Sequence, residues 1–330
     1  MALTVPLSIL DLASIGPDET VRDSLEGSVR LAQRAEELGY TRVWYAEHHN
    51  MASIASSATA VLIAHVAAHT ERIRLGAGGI MLPNHSPIVI AEQFGTLAEL
   101  HPGRIDLGLG RAPGSDTNTM RALRRDPSAA DTFPQDVQEL QGFLSGETRI
   151  PGVQAVPGSG TNVPLYILGS SLFGAQLAAA LGLPYAFASH FAPTMLEEAV
   201  RVYRERFEPS AQLEEPYVIA GVNVIAADTE DEARRQLEVR RRTVARVLFN
   251  RGGRRLDDDE VEALLRTPHA RQLEQMFTYT ALGTPETVGP YLDEFRAHAE
   301  ADELIVAHQG DSVAARLRSL ELLAGVAAPT

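Results

Sequence analysis

Residues 165–188 read LYILGSSLFGAQLAAALGLPYAFA, and their pattern switches period twice within 24 positions. Leu165 to Leu168 is a short apolar run, long enough for a strand covered on both faces and too short for a helix. Gly169-Ser170-Ser171 breaks the run, and residues 172–181 then have the composition of an apolar helix. A second apolar run follows at 185–188. Strand, helix and strand joined by such short breaks favour parallel pairing with a right-handed crossover.

The same alternation extends in both directions. Further strand-like runs lie at residues 7–12, 42–46, 73–81, 105–110, 217–226 and 303–306. Residues 21–38 place Leu25, Val29, Ala32 and Ala35 on one helical stripe that stops at Gly39. Ser86-Pro87 opens a helix through Ile88, Ala91, Phe94 and Leu97, which His101-Pro102-Gly103 ends, and Thr284-Pro285 repeats that start before Val288, Tyr291, Leu292 and Phe295. About eight strands is the number a closed (β/α)8 TIM barrel requires, so the expected fold is α/β with one domain over residues 1–330. Two stretches exceed the minimal barrel, giving insertions after strands four and seven. Residues 146–164, rich in glycine and proline, form an excursion or hairpin before strand five. Residues 229–276 are charged and helical and carry Arg251-Gly252-Gly253-Arg254-Arg255 and then Asp257-Asp258-Asp259-Glu260, which read as a solvated face. An insertion at that place in a barrel is expected as a lid over the mouth.

Composition narrows the function. The 330 residues carry a net charge of −14, which repels nucleic acid and anionic membranes. With no cysteine, thiolate metal sites, iron–sulfur clusters and cysteine nucleophiles are excluded. The first ten residues lack a basic segment ahead of a long apolar core, and a cytoplasmic protein is expected.

In a barrel, chemistry sits at the carboxyl ends of the strands. After strand two comes Glu47-His48-His49-Asn50; after three, Gly78-Gly79 and Pro83-Asn84-His85; after four, Gly110-Arg111-Ala112-Pro113-Gly114; after five, Gly169-Ser170-Ser171; after six, Ser189-His190-Phe191. The fifth position has the plainest physics, because free amides and the positive end of a helix dipole there meet two hydroxyls. Arg111, from the adjacent strand, can add the bidentate charge a phosphate takes. Each feature alone has an ordinary reading, a helix cap and a surface ion pair; together on neighbouring strands they favour a bound phosphate. Glycines inside a strand, at Gly76, Gly78 and Gly79, mark either a bulge that closes the barrel or the close approach of something flat. The spacing of Gly108, Gly110 and Gly114 does not fit the dinucleotide fingerprint. A metal site is disfavoured, since strand one is followed by no histidine and the adjacent His48 and His49 point apart on extended backbone. A proton-handling His48 fits better.

At these residues the chain resembles the bacterial luciferase-like flavin monooxygenases, in the single-chain subgroup carrying Leu82-Pro83-Asn84-His85-Ser86-Pro87 and Glu92-Gln93-Phe94-Gly95-Thr96-Leu97. The likeness covers nearly the whole chain. It implies FMN, reduced by a separate reductase, that reacts with oxygen to a carbon-4a peroxide and oxygenates a small organic substrate. It places His48 by the flavin ring and a non-proline cis peptide at Gly78–Gly79 beneath it. It makes Arg111 the phosphate arginine and Gly169, Ser170 and Ser171 the phosphate loop, with Ser170 where luciferase has glutamate. Gly174, through its backbone, and Ser189 complete the expected cofactor set, while His49, His85 and His190 are assigned to the substrate pocket. A homodimer through the small-residue helix at 56–69 is also implied. Alternatives are a deazaflavin-dependent hydride-transfer enzyme and a non-catalytic FMN-binding protein.

Overall fold

The chain alternates strand and helix in the order β1 (Leu7–Asp11), α1 (Val21–Glu37), β2 (Arg42–Tyr45), α2 (Thr59–Ala67), β3 (Arg74–Met81), α3 (Pro87–Leu100), β4 (Ile105–Gly110). It continues through α4 (Thr117–Ala122), α5 (Phe133–Ser145), β5 (Leu165–Gly169), α6 (Leu172–Leu181), β6 (Tyr185–Phe187), α7 (Leu196–Glu205) and β7 (Val218–Ala226). The last elements are α8 (Glu230–Leu248), α9 (Asp258–Leu265), α10 (Ala270–Met276), β8 (Thr280–Gly283), α11 (Pro285–His298), β9 (Glu303–His308) and α12 (Val313–Ala324). These come from a computed structural model that describes residues 5–111, 117–249, 256–268 and 270–326. The turn Ala112-Pro113-Gly114 and the basic run at 251–255 lie outside the described residues.

Strands β1 to β7 pair in sequence, each parallel to the next, and β9 joins β7 to β1 to close an eight-stranded barrel. The expected strands are all present. A ninth, β8, was not expected: it pairs with the far half of β7, from Asn223↔Thr280 to Ala226↔Gly283, beyond the point where β6 stops at Phe187↔Ala220. Its four residues alternate between half-buried and buried, too short and too mixed to stand out as an apolar run. The excursion at 146–164 contains no strand and is tied back by the amides of Gly160 and Asn162, which donate to the Leu144 carbonyl at 2.9 and 3.1 Å. Helix ends follow the local chemistry: Thr20 and Asp23 form a capping box at α1, and Gly39 beyond its end has φ 81°. Among the described residues no helix is long and apolar enough to cross a membrane.

The barrel interior is layered. At the amino-terminal end lies a buried charged floor. Arg42 donates to both oxygens of Glu303 at 2.9 and 3.0 Å, to Asp106 at 2.8 Å and to the Tyr166 hydroxyl at 2.7 Å. Arg74 pairs with the other Asp106 oxygen, Trp44 Nε1 donates to Asp106, and the hydroxyls of Ser8 and Tyr217 donate to Glu303. Two cations thus meet two anions on four strands. Above the floor is an apolar tier of Leu10, Trp44, Tyr166, Ala186, Ile219 and Ile305. Polar below and apolar above, the barrel is closed at one end and can accept a ligand only at the other.

Removing one partner of a buried pair strands the rest, at about 3–5 kcal/mol. Asp106→Asn, which leaves Arg42 and Arg74 facing a single carboxylate, should therefore lower the unfolding free energy measured in urea by that order. Arg318→Gln, which breaks an exposed pair with Asp228, should cost under about 1 kcal/mol.

Candidate active site

A cavity of about 830 Å³ opens at the carboxyl ends of the strands, within the size range of small-molecule sites. Its wall beside β4 and β5 gathers a cation, two hydroxyls and a helix start. Gly169 ends β5 and Gly174 lies in the first turn of α6; a Cβ on Gly174 would stand 3.4 Å from the Gly169 Cα and 3.3 Å from the Tyr185 ring, so the bare glycine lets the helix start close against the strand end. Ser171 is the extended N-cap, yet its hydroxyl makes no capping bond. Its carbonyl accepts from the Tyr185 hydroxyl at 3.1 Å. The first-turn amides have no acceptor inside the helix, and they meet the cavity beside Ser170 and Ser171. Arg111 joins them, its guanidinium carbon 4.1 Å from the centroid of Phe173 in the same first turn. Phe173, which the sequence reading passed over, thus fixes the cation beside the helix dipole.

The cavity floor is the apolar tier, with Leu10, Trp44, Leu168 and Ile305 exposed to it. Gly78 lines it as well, packed over Trp44, and the Gly78–Gly79 peptide is cis. The β3–β4 register shifts between Ala77 and Ile80, so the run forms a bulge, and Gly78 of that bulge borders the cavity. Gly79 itself turns to the Gly108 carbonyl and Leu168.

The four expected histidines divide into two roles. His48 and His190 line the cavity, each with a buried Nδ1 that has no hydrogen-bond partner. Burial, and then the nearby His48, hold His190 down to about 4; burial also lowers His48, outweighing the pull of Glu47. Both rings are therefore neutral near pH 7. His190 is seated over Gly221, where any Cβ would strike its Nδ1, and its carbonyl accepts from Asn223 Nδ2 at 2.5 Å. Asn223 in turn accepts from Gln309 at 2.7 Å, and both amides face the cavity.

His49 and His85 do not line the cavity. Each puts its Nε2 on Glu47, at 2.8 and 2.9 Å, and the Met81 amide donates to the same carboxylate at 3.0 Å. Glu47 is 1% exposed at the cavity wall. Burial pushes its pKa up, but His85, His49 and the amide together hold it below the usual range. The two histidines anchor the strand-two loop because a buried carboxylate claims their donors first. Ser189 is also turned away: it is buried and donates to the Gly221 carbonyl at 2.6 Å. Among the described residues no group of three or more His, Asp or Glu side chains could hold a metal.

The roof comes from the chain after β7. Arg240, Thr243, Val244 and Val247 of α8, with Met276 and Phe277, close over the mouth. Among the described residues of 250–276, only Met276 lines the cavity.

Residues 5–301 match the family model described as luciferase-like monooxygenase. A protein of that name from Escherichia coli K12 is 46% identical, the alignment covering 97% of this chain and 96% of the relative. The N-acetyl-S-alkylcysteine monooxygenase of Bacillus subtilis is 38% identical over 71% of each chain. Among solved structures, apo-MsnO8 superposes with a TM-score of 0.86 at 35% identity, covering 98% of both chains.

The depressed histidines set a pH dependence. His190 falls from an ordinary 6.5 to about 4, so between those values the unfolded chain binds the extra proton and folding stability drops as pH falls. Urea unfolding measured from pH 7 to 4 should show that decline. His190→Gln should flatten part of it, the buried His308, lowered to about 3, supplying another part.

Proposed function

Because the chain belongs to the luciferase-like monooxygenase family and is an oxidoreductase, we propose that the cavity takes up FMN and that the enzyme uses the reduced cofactor and dioxygen to oxygenate a small organic substrate. The observation that carries this is the anion grip at one wall of an apolar, flat-floored cavity. Arg111, the hydroxyls of Ser170 and Ser171 and the first-turn amides of α6, including that of Gly174, would hold the phosphate. The isoalloxazine would lie against Gly78 and the apolar tier. When bound and reduced, FMN supplies the electrons that activate oxygen, chemistry that no side chain here can supply.

The rest is what the chain itself does. His48, neutral and with its Nδ1 unpartnered, offers one nitrogen that can accept or return a proton at the cavity. Glu47, clamped by two histidines, holds the loop that carries His48. Val244, Val247, Met276 and Phe277 keep water from the reacting centre as a lid. The chain carries no dinucleotide fingerprint, so a separate reductase delivers reduced FMN. Val61 on α2 is 70% exposed and, with the small residues of that helix, suits a homodimer contact. With no nucleic-acid or membrane feature, a cytoplasmic location fits.

Fluorescence quenching with oxidised FMN tests the reading, since a protein that ignores FMN in both redox forms does not have this site. Arg111→Ala should weaken FMN about 10- to 100-fold while leaving riboflavin, which lacks the phosphate, nearly unchanged. An equal loss for both would remove Arg111 from the phosphate. A deazaflavin cofactor titrated in parallel distinguishes hydride transfer from oxygenation. His48→Ala should keep FMN affinity and speed hydrogen peroxide release after the reduced complex meets oxygen.

A further inference from the structure

Arg240 has no part in the reading above, and its surroundings set it apart. Arg240, Thr243, Val244 and Val247 share one stripe of α8 by helical spacing, and all four line the cavity. The other five arginines of α8 are paired: Arg234 with Glu230 and Asp231, Arg235 with Glu232 and Asp311, Arg241 with Glu238 and Glu274, Arg242 with Glu262, and Arg246 with Asp258. Arg240 alone among them has its Nε sealed from solvent without a hydrogen-bond partner, and among the described residues no carboxylate reaches its guanidinium.

Its neighbouring charge has the same sign. Burial and Arg316 lower Arg240 to about 10, so it stays charged at neutral pH. Arg316 is itself occupied, donating to the Ser14 carbonyl at 2.9 Å and lying 3.7 Å from Glu19. A guanidinium held out of water without a counter-ion is costly and is retained where an anion arrives.

The position excludes the cofactor phosphate as that anion. Arg111 and Ser171 follow β4 and β5, whereas α8 follows β7, and Arg316, which acts on Arg240, follows β9 and touches the segment after β1. In a ring of eight strands these are opposite sides. Among the described residues that line the cavity, the far wall offers no helix start like that of α6, Gln309 donates to Asn223, and Asn223 donates to the His190 carbonyl. One planar guanidinium fork matches one carboxylate.

We propose that the substrate carries a carboxylate, which pairs with Arg240 on the lid helix, while its apolar remainder runs along Val244, Val247 and Met276 toward the flavin ring. This rests on the FMN reading.

The test uses full-length protein saturated with FMN and calorimetric titration with octanoate and octanamide, which differ in charge and share a tail. Octanoate should bind at least about tenfold tighter, Arg240→Gln should abolish that preference, and Arg240→Lys should restore it in part. FMN affinity, read separately by fluorescence, should be the same in all three proteins. Equal binding of the two probes by wild-type protein, or no octanoate binding, overturns the proposal without any variant. So does a preference that survives Arg240→Gln, or a loss of FMN affinity in that variant like the loss in Arg111→Ala, which would give the guanidinium to the cofactor. If wild-type protein does not bind FMN, the parent reading fails first and this one falls with it.

Discussion

Arg42 reaches across the inside of the barrel to carboxylates on β4 and β9, and the other parts of the molecule are arranged around that span. Four hydrogen bonds tie it to Glu303, Asp106 and Tyr166, three groups on three strands, so the cross-section of the barrel is set by hydrogen-bond lengths as well as by side-chain volume. Burial alone would lower the pKa of such a group; Glu303 and Asp106 more than reverse this, and it is raised. The price of burying four charges is large, and replacing such a layer by hydrocarbon is often neutral in other proteins. What the charges add here is a directional floor. With that floor in place, Trp44 is held by Asp106 from below, and its ring supports Gly78 from beneath.

Above that tier the mouth separates charge by wall. One wall has Arg111 and the α6 start, the next has neutral histidines, and the lid has Arg240. The separation follows from which side chains have partners inside the protein. His49 and His85 are fixed by Glu47, Ser189 by Gly221, and Asn223 by Gln309, so none of these offers its main donor to a ligand. Among the polar groups that line the cavity, His48, His190, Arg111, Ser171 and Arg240 are left over from such pairings. A site recognised by residue type alone would have included both sets.

The barrel was legible because each strand is a contiguous run and each helix carries its own start and stop; the unit at 165–188 needs no distant contact to be read. The helix start of α6 beside Arg111 was legible for the same reason. The charged floor was not, since Arg42 and Glu303 are 261 positions apart and nothing local marks them as partners. β8 is legible only once β7 is known to outrun β6. His49 and His85 turn away from the cavity because Glu47, two positions from one and 38 from the other, competes for them through burial, which appears only in three dimensions. Arg240 had a signal that went unused: an arginine on a stripe with Thr243, Val244 and Val247, within a helix where Arg234, Arg235, Arg241 and Arg242 each have a carboxylate three or four residues away.

The overall charge makes the two cationic walls more informative. A chain with net charge −14 repels anions at long range, but that field is screened within about 10 Å at moderate salt. Inside the cavity the balance is local, and a guanidinium facing low-dielectric walls outweighs a distant excess of surface carboxylates. Most of those carboxylates on α8 are already matched by neighbouring arginines, so the helix spends its surface cations on itself and leaves one on the inner face. Net charge therefore says little about what the cavity holds: one wall carries Arg111 beside a helix start and another the single fork of Arg240, so the two differ in the number and geometry of the donors they offer.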